Sequence, residues 1–370
     1  MPFVKSFAHE FRHTPVFWFL PLVPVALLYQ SANPDSHTTI FLLSVAAIIP
    51  LAATLSRATE SVAAKTGDTV GGLLNATLGN LTELVIGLAA LRAGQIVLVK
   101  ASIAGAIFTN TLFMLGASFL LGGLKHRVQE FNRANARLQA GMMFMASVAL
   151  LVPSLLVSGG VADTAPVVQD VSLAIAIILL LTYGLGLLFS LKTHSEFFAG
   201  KRVETSAETE EKPWPMGFAL PMLAGITVCI ALVSEIFVES VQVASEELGM
   251  SAPFVGFIVV ALVGAAAEMT TAFAAARKNR LDLSVSIALG SAVQIALFVA
   301  PVTLILSYFI APAPMDLVFW PGAVVMVLVA TMTAAQVTNG GRSAWFVGVL
   351  LLAVFLIFAT ALYLLPPRMG

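Results

Sequence analysis

Charged residues are scarce in this chain of 370 residues. Only 11% are Asp, Glu, Lys or Arg, 59% are hydrophobic, and the mean hydropathy is +0.96. In a soluble globular domain about a quarter of the residues are charged, so this composition excludes an ordinary soluble protein. It predicts a polytopic membrane protein whose surroundings are the lipid bilayer. The formal net charge of −1 gives no sign of a nucleic-acid partner.

Cysteine and histidine are also rare in this chain. Cys229 is the only cysteine, which excludes an intrachain disulfide. The chain has no His-Glu-x-x-His motif and no aspartate pair inside an apolar run, so it cannot build the metal or aspartyl site of an intramembrane protease. We therefore expect neither an enzyme nor a resident cofactor. The five histidines lie outside the apolar runs or at their ends: His9, His13, His37, His126 and His194.

Apolar runs of about 20 residues are what the chain has instead, and each is long enough to cross a bilayer as a helix. They predict an all-α fold with about eleven transmembrane helices. The first run lacks a small-residue cleavage site, so we interpret it as a retained helix and not as a signal peptide. The predicted spans centre on residues 15–30, 39–57, 69–91, 96–121, 138–158, 168–191, 217–241, 253–276, 283–309, 317–338 and 343–365.

One long hydrophilic stretch divides the chain. The predicted units are a tail and first helix (1–35), a five-helix repeat (36–192), an acidic cytoplasmic linker (193–215) and a second, inverted five-helix repeat (216–370). The linker is either a solvated connection or a segment that senses or concentrates cations. Its glutamates are Glu196, Glu204, Glu208, Glu210 and Glu211.

The positive charges favour one orientation. With the amino terminus in the cytoplasm, 16 of the 19 Lys and Arg residues fall on the cytoplasmic side, and only Arg92, Lys100 and Arg368 fall on the other. That asymmetry is what the positive-inside rule requires. We expect a multi-pass protein of a prokaryotic cytoplasmic (inner) membrane, and the sequence says nothing about its oligomeric state.

The two halves resemble each other at a shift of about 185 residues. The shift superimposes Gly79 on Gly264 and Glu83 on Glu268, and it also superimposes Gly105 on Gly290. Each half after the first helix contains five spans, so the second copy enters the membrane in the opposite direction. Inverted repeats with polar residues at matching places are typical of secondary transporters, whose sites lie near the midplane between the repeats. Close packing at small residues would explain the glycines but not the paired carboxylates.

Glu83 and Glu268 are the strongest candidates for function. A carboxylate at bilayer depth costs roughly 2.5–3.5 kcal/mol even on permissive scales, so its presence needs a reason. Two such groups form either a hard oxygen site suited to Ca²⁺, with Mn²⁺ compatible, or a site neutralised by two protons. The alternative is a pair of protonated acids that only support packing. The predicted metal ligands, taken from one face of each helix, are Glu83, Glu268, Asn80, Gly79, Gly264 and Thr271.

Further polar residues could serve a proton or ion pathway. Glu235 and Glu239 share one face of the seventh helix, where a pathway role competes with a helix end at the interface. Asn110 and Gln294 are membrane-embedded amides at matching positions, where site lining competes with interhelical hydrogen bonding. Glu60, Asp68, Glu246 and Glu247 lie near the ends of predicted spans, where a solvated role is favoured.

Two stretches resemble the Ca²⁺/H⁺ exchanger family of the calcium/cation exchanger superfamily. The first is Gly-Gly-Leu-Leu-Asn-Ala-Thr-Leu-Gly-Asn-Leu-Thr-Glu at residues 71–83. The second is Ile-Ala-Leu-Gly-Ser-Ala-Val-Gln-Ile-Ala-Leu-Phe-Val-Ala-Pro at residues 287–301. The resemblance, which extends over residues 40–360, implies eleven helices, an acidic linker after the sixth, and Ca²⁺ extrusion driven by proton entry. It also implies Glu83 and Glu268 as the central ligands.

The chain departs from that family beside the second glutamate. Where the family has Asn and His, this chain has Ala265 and Met269, which removes one possible oxygen ligand and one proton carrier. An exchanger of the same fold with altered preference, for Mn²⁺ or for Na⁺ or K⁺, is therefore an alternative. A passive cation channel is a second one, since acidic groups also select cations in channels, but the inverted duplication favours alternating access.

Overall fold

The computed structural model describes residues 15–160, 165–194 and 213–364. The acidic stretch at 195–212, and with it the predicted role of the linker, lies outside the described residues. The first half contains α1 (Leu22–Ala32), α2 (His37–Ala63), α3 (Asp68–Leu78), α4 (Leu81–Arg92), α5 (Ile96–His126), β1 (Val128–Glu130), α6 (Arg133–Ser158) and α7 (Ala165–Leu188). The second contains α8 (Met216–Glu247), α9 (Ala252–Gly264), α10 (Ala266–Arg277), α11 (Leu281–Ile310), α12 (Pro321–Thr338), β2 (Arg342–Ala344) and α13 (Trp345–Leu364).

The all-α membrane architecture predicted from the sequence is confirmed. Within the described residues, eight helices are long and apolar enough to cross a membrane, and two bent helix pairs could each form one more span. A shorter apolar segment, Phe17–Ala32, corresponds to the first predicted span. The total of eleven stays a prediction.

Two of the predicted spans are broken near their middle. The axes of α3 and α4 differ by 42°, and those of α9 and α10 differ by 58°. The backbone leaves helical geometry at Asn80 (φ −103°, ψ 30°) and at Ala265 (φ −81°, ψ 5°). The prediction of continuous third and eighth helices, with Gly79 and Glu83 on one face, is wrong because the break reorients every residue that follows it.

The helices of the two halves interlock with matching partners. Helix α4 packs against α8 and α11, and its counterpart α10 packs against α2 and α5. Likewise α5 packs against α13, and its counterpart α11 packs against α7. In two further pairs, α2 with α8 and α6 with α12, each helix packs against its own counterpart. Reciprocal packing of this kind is expected for inverted repeats.

Two ends of the bundle can be told apart by their loops. At one end, which we call the sheet face, β1 pairs antiparallel with β2 (Gln129 opposite Ser343). There the Gln129 side chain also donates to the Ala276 carbonyl at 2.9 Å. At the other end, the opposite face, Lys100 forms an ion pair with Asp316 at 2.6 Å. The sheet face is the one that the sequence predicts to be cytoplasmic.

Helices α5 and α9 cross at two glycines of the two halves. A Cβ built on Gly105 would lie 2.1 Å from the carbonyl oxygen of Phe257, and one on Gly256 would lie 2.6 Å from the Cβ of Ala101. Backbones approach this closely only where side chains are absent. The crossing therefore fixes the distance between the two halves next to the helix breaks.

We expect Gly105→Ala to destabilise the fold by about 1–3 kcal/mol, the usual cost of overpacking. Gly141→Ala is the matched control, because a Cβ built there meets no atom within 4 Å. Thermal unfolding in detergent, followed by loss of the monodisperse chromatographic peak, measures both variants. Equal unfolding temperatures for the two would contradict the tight crossing.

A candidate cation-binding site at the two helix breaks

The breaks place the two glutamates at equivalent points of the fold. Glu83 lies in the first turn of α4 and Glu268 in the first turn of α10. The free N–H groups of a helix amino terminus favour negative charge, so each break supports a carboxylate within the apolar part of the bundle. The sequence identified both residues but not the breaks that position them.

The carboxyl group of Glu83 reaches across to the second half. A Cβ built on Gly264 would lie 3.0 Å from its Cγ and 3.3 Å from its Oε1, so any larger residue there would press on the Glu83 side chain. Glu268 follows Gly264 by four residues, and the two carboxyl groups are close enough to interact electrostatically. The structure therefore brings together the two glutamates that the sequence duplication pairs.

Each glutamate keeps one oxygen without a partner. Glu83 Oε1 and Glu268 Oε2 are shielded from solvent and accept no hydrogen bond from the described residues. Buried polar atoms without partners are uncommon in proteins and need an explanation. A proton or a bound cation on these oxygens would supply it.

A chain of buried polar side chains runs beside the glutamates. Asn80 donates through Nδ2 to Gln294 Oε1 at 2.5 Å and accepts at Oδ1 from the Ser291 hydroxyl at 3.0 Å. Asn110 donates to Ser291 Oγ at 2.8 Å. The chain links the first break to α5 and α11, so the amides that the sequence singled out, Asn110 and Gln294, do meet Asn80.

Ser291 is the member of this chain that the sequence analysis missed. Besides bonding to both asparagines, its hydroxyl group lies near the Glu268 carboxylate. The available signal was its position directly after Gly290, the glycine that pairs with Gly105 at the 185-residue shift.

The remaining predicted ligands lie around this centre. A Cβ on Gly79 would lie 3.3 Å from Gln294 Oε1, so this glycine makes room for the amide just as Gly264 makes room for Glu83. Thr271 is exposed, and its hydroxyl bonds to the Ala267 carbonyl of its own helix at 3.2 Å. The structure does not bring Thr271 into the polar chain, and its role as a ligand stays a prediction.

The predicted pathway acids lie on different sides of the glutamates. Glu60 is exposed near the sheet-face end of α2, accepts from Ser56 at 3.3 Å, and is close enough to Glu268 to interact electrostatically. Glu235 and Glu239 lie at the opposite face. Glu235 forms an exposed ion pair with Arg92 at 3.1 Å, and Glu239 accepts a hydrogen bond from Gln30 at 3.4 Å. Their pathway roles stay predictions.

The second break contributes no side-chain oxygen directly before its glutamate. Ala265 is fully buried and Met269 is 6% exposed, so apolar atoms occupy the places where the resembling family has Asn and His. Within the described residues, no three His, Cys, Asp or Glu side chains cluster as a metal site. The centre thus offers two carboxylates as cation ligands. The other side-chain oxygens beside them are the neutral oxygens of Asn80, Gln294 and Ser291.

Comparisons with known proteins place the chain in a family. The family model described as sodium/calcium exchanger protein matches residues 36–192 and 218–364. The chain belongs to this family. The resemblance inferred from the sequence is thereby confirmed, and the protein is an integral multi-pass membrane protein, as the helices of the structure also indicate.

Other proteins of this family resemble the chain over nearly its whole length, in sequence and in structure. A Ca(2+)/H(+) antiporter of Aphanothece halophytica is 40% identical, covering 97% of this chain and 99% of the relative. The Ca(2+)/H(+) antiporter ChaA of Bacillus subtilis is 39% identical, covering 93% and 97%. The structure of native YfkE superimposes with a TM-score of 0.81 at 34% identity, covering 95% of this chain and 100% of the other. An H+/Ca2+ exchanger, CAX, shares the fold with a TM-score of 0.71.

We expect Ser291→Ala to destabilise the protein by about 1–3 kcal/mol, because Asn80 Oδ1 would lose its donor and Asn110 Nδ2 its acceptor inside the protein. Thr182→Ala is the control, since that exposed hydroxyl bonds only to the Ile178 carbonyl of its own helix. Thermal unfolding in detergent compares the two variants. A shift for Ser291→Ala no larger than that for Thr182→Ala would contradict the network.

Proposed function

We propose that the protein is a secondary antiporter that exchanges Ca²⁺ for H⁺ at the site of Glu83 and Glu268. The observation that carries this proposal is the pair of repeat-related carboxyl groups, each with one buried oxygen that no described residue satisfies. The names of relatives about 40% identical over nearly the whole chain support the same activity.

The chemistry of the site accounts for exchange. Two bare carboxylates side by side in a poorly hydrated site repel each other, so the pair has to be neutralised. One Ca²⁺ does this with two charges, and two protons do it equally well. Because the two states exclude each other, binding of Ca²⁺ from one side releases protons, and protons from the other side release Ca²⁺.

The oxygen donors suit a hard cation. Ca²⁺ takes six to eight oxygen ligands, including carboxylates, amide carbonyls and waters. Glu83, Glu268, Asn80 and Gln294 supply such oxygens, and water would complete the shell. The second break offers fewer protein oxygens for a cation, because Ala265 stands where the resembling family has an amide. This difference favours a second candidate function, the exchange of Mn²⁺ or of a monovalent cation for H⁺.

The interlocked halves support a mechanism of alternating access. The two halves traverse the membrane in opposite directions around one shared site, so rocking one set of helices against the other can open the site to either face in turn. Asn75 and Thr271, on the sheet-face side of the glutamates, are both exposed. This exposure supports access from the sheet face in the present conformation.

We infer that the sheet face lies in the cytoplasm of a bacterial inner membrane. Its loops and helix ends carry Lys125, Arg127, Arg133, Arg277, Lys278, Arg280 and Arg342. At the opposite face, Arg92 and Lys100 are each paired with an acid, Glu235 and Asp316. Among the described residues, positive charge without a salt bridge is thus concentrated on the side that the positive-inside rule assigns to the cytoplasm.

In proteoliposomes with an acidic lumen, external Ca²⁺ should dissipate the pH gradient, and Glu268→Gln or Glu83→Gln should abolish that response. A glutamine can neither take up a proton in exchange for Ca²⁺ nor supply negative charge to bind Ca²⁺. Glu246→Gln, which changes an exposed acid at the end of α8, is the control and should transport normally. A lumenal pH dye measures the flux while Ca²⁺, Mn²⁺, Mg²⁺, Na⁺ and K⁺ are titrated outside.

Retained exchange in either glutamate variant would refute the shared site. A response to Mn²⁺ or Na⁺ in place of Ca²⁺ would favour the second candidate function. No response to any of these cations would favour the alternative of a passive cation channel.

Two carboxyl groups also set the coupling ratio. Exchange of two protons for one Ca²⁺ moves no net charge, so the rate should not change when valinomycin and a K⁺ gradient impose a membrane potential. A third proton would make 100 mV contribute about 2.3 kcal/mol per cycle. A strong dependence on potential would therefore show that another acid takes part, with Glu235 as the first to test.

A further inference from the structure

A small cavity touches Glu83 on the side away from the sheet face. It lies between α4, α5, α9 and α11 and measures about 20 Å³, with room for one or two water molecules where a single water needs roughly 10–15 Å³. Its walls are mainly aliphatic. The polar side chains that line it are those of Glu83, Ser102 and Thr303.

Thr303 is the unusual member of this lining. Its side chain is completely buried, and its hydroxyl bonds to no described residue. A threonine inside a helix commonly bonds to a carbonyl of the preceding turn, as Thr227 does to Leu223 at 2.7 Å. A hydroxyl that forgoes this bond while it lines a cavity needs a partner in the cavity.

The three polar groups fit one water molecule. The Thr303 hydroxyl can donate to the water, and Glu83 Oε1 can accept from it because no described residue occupies that oxygen. The Ser102 hydroxyl gives its own proton to the Val99 carbonyl at 2.8 Å, which leaves its oxygen free to accept the second proton of the water. The water would thus make three hydrogen bonds, the usual number for a buried water.

The cavity exists because one residue of the repeat is a glycine. At the 185-residue shift, Glu83 corresponds to Glu268, Thr303 to Ser118, and Gly87 to Ala272. Ala272 is fully buried in the second half, whereas a Cβ built on Gly87 meets no atom within 4 Å. Ser118 is likewise a fully buried hydroxyl without a described partner, so the two halves share the hydroxyl but differ in the methyl group beside it.

We propose that this cavity holds a water bound by Glu83, Ser102 and Thr303, and that this water relays protons to Glu83 while the site is open to the opposite face. In one transfer, a hydronium ion from the opposite-face side gives a proton to the oxygen of this water, and the water gives one of its own protons to Glu83 Oε1. O–H bonds break on the hydronium ion and on the relay water as O–H bonds form on the relay water and on Glu83, so the net change is one proton moved from the hydronium ion to Glu83. The relay step rests on the proposed function, whereas the water site does not.

The test compares two variants that remove the relay by different means. Gly87→Ala copies the second repeat and fills the cavity without a clash, and Thr303→Val removes the hydroxyl at nearly constant volume. A positioned proton donor or acceptor is typically worth at least about 10²-fold in proton transfer, so we expect Ca²⁺-driven proton flux in proteoliposomes to fall by about tenfold or more in both. Thr303→Ser should restore it, while Ca²⁺ binding to the detergent-solubilised variants should stay at the wild-type level.

Matched controls separate this effect from general disturbance of the helices. Gly141→Ala adds a methyl group in α6 where no atom lies within 4 Å, and Thr182→Val removes an exposed hydroxyl in α7. Both should transport at the wild-type rate. Wild-type flux in Gly87→Ala and Thr303→Val would overturn the relay.

A high-resolution crystal structure tests the water without relying on transport. We expect electron density within hydrogen-bonding distance of Glu83 Oε1 and Thr303 Oγ1 in the wild type, and none in Gly87→Ala. Absence of that density in the wild type, or an anomalous signal there after Rb⁺ replaces the buffer cation, would overturn the proposal. If the wild-type protein transported no Ca²⁺, the proposed function would be refuted. The water site would then still be tested by the electron density.

Discussion

Two carboxyl groups held close together inside a bilayer are the constraint on which the rest of the structure depends. Two like charges about 4 Å apart repel by about 4 kcal/mol even at an effective dielectric constant of 20, and each also loses hydration. Such a pair persists only if the fold holds it in place and a counter-ion or protons neutralise it. The helix breaks, the glycine opposite Glu83 and the buried polar chain all serve to hold it.

The glycines show how the fold meets this requirement. Gly264 makes room for Glu83, Gly79 makes room for Gln294, and Gly105 with Gly256 brings the two halves into backbone contact beside the breaks. The duplication pairs Gly79 with Gly264. The crossing of Gly105 with Gly256 has no equivalent in the repeat, because a Cβ built on Gly290, the counterpart of Gly105, would lie no closer than 3.8 Å to another atom. The halves also differ next to the glutamates: Asn80 against Ala265, and Gly87 against Ala272. These differences give the two sides of the site different chemistry within a nearly symmetric frame.

Much of this arrangement could be predicted from the sequence. Apolar runs and the 185-residue shift predicted the helices and their inverted relation, and the glutamates were conspicuous because charge at bilayer depth is rare. The breaks were not predicted, although Gly79, Asn80 and Gly264 are poor helix formers, because glycine is also frequent inside continuous membrane helices. Ser291 was missed because its importance comes from partners on α4 and α5 that are remote in sequence. The ion pair of Glu235 with Arg92 was missed for the same reason.

Proton release on cation binding tests the central claim most directly. Purified protein in a weakly buffered detergent solution, preloaded with protons and titrated with Ca²⁺, should release close to two protons for each Ca²⁺ bound. Glu83→Gln and Glu268→Gln should each bind Ca²⁺ weakly and release correspondingly few protons. Tight Ca²⁺ binding without proton release, or full release in either variant, would contradict a single site that Ca²⁺ and two protons share.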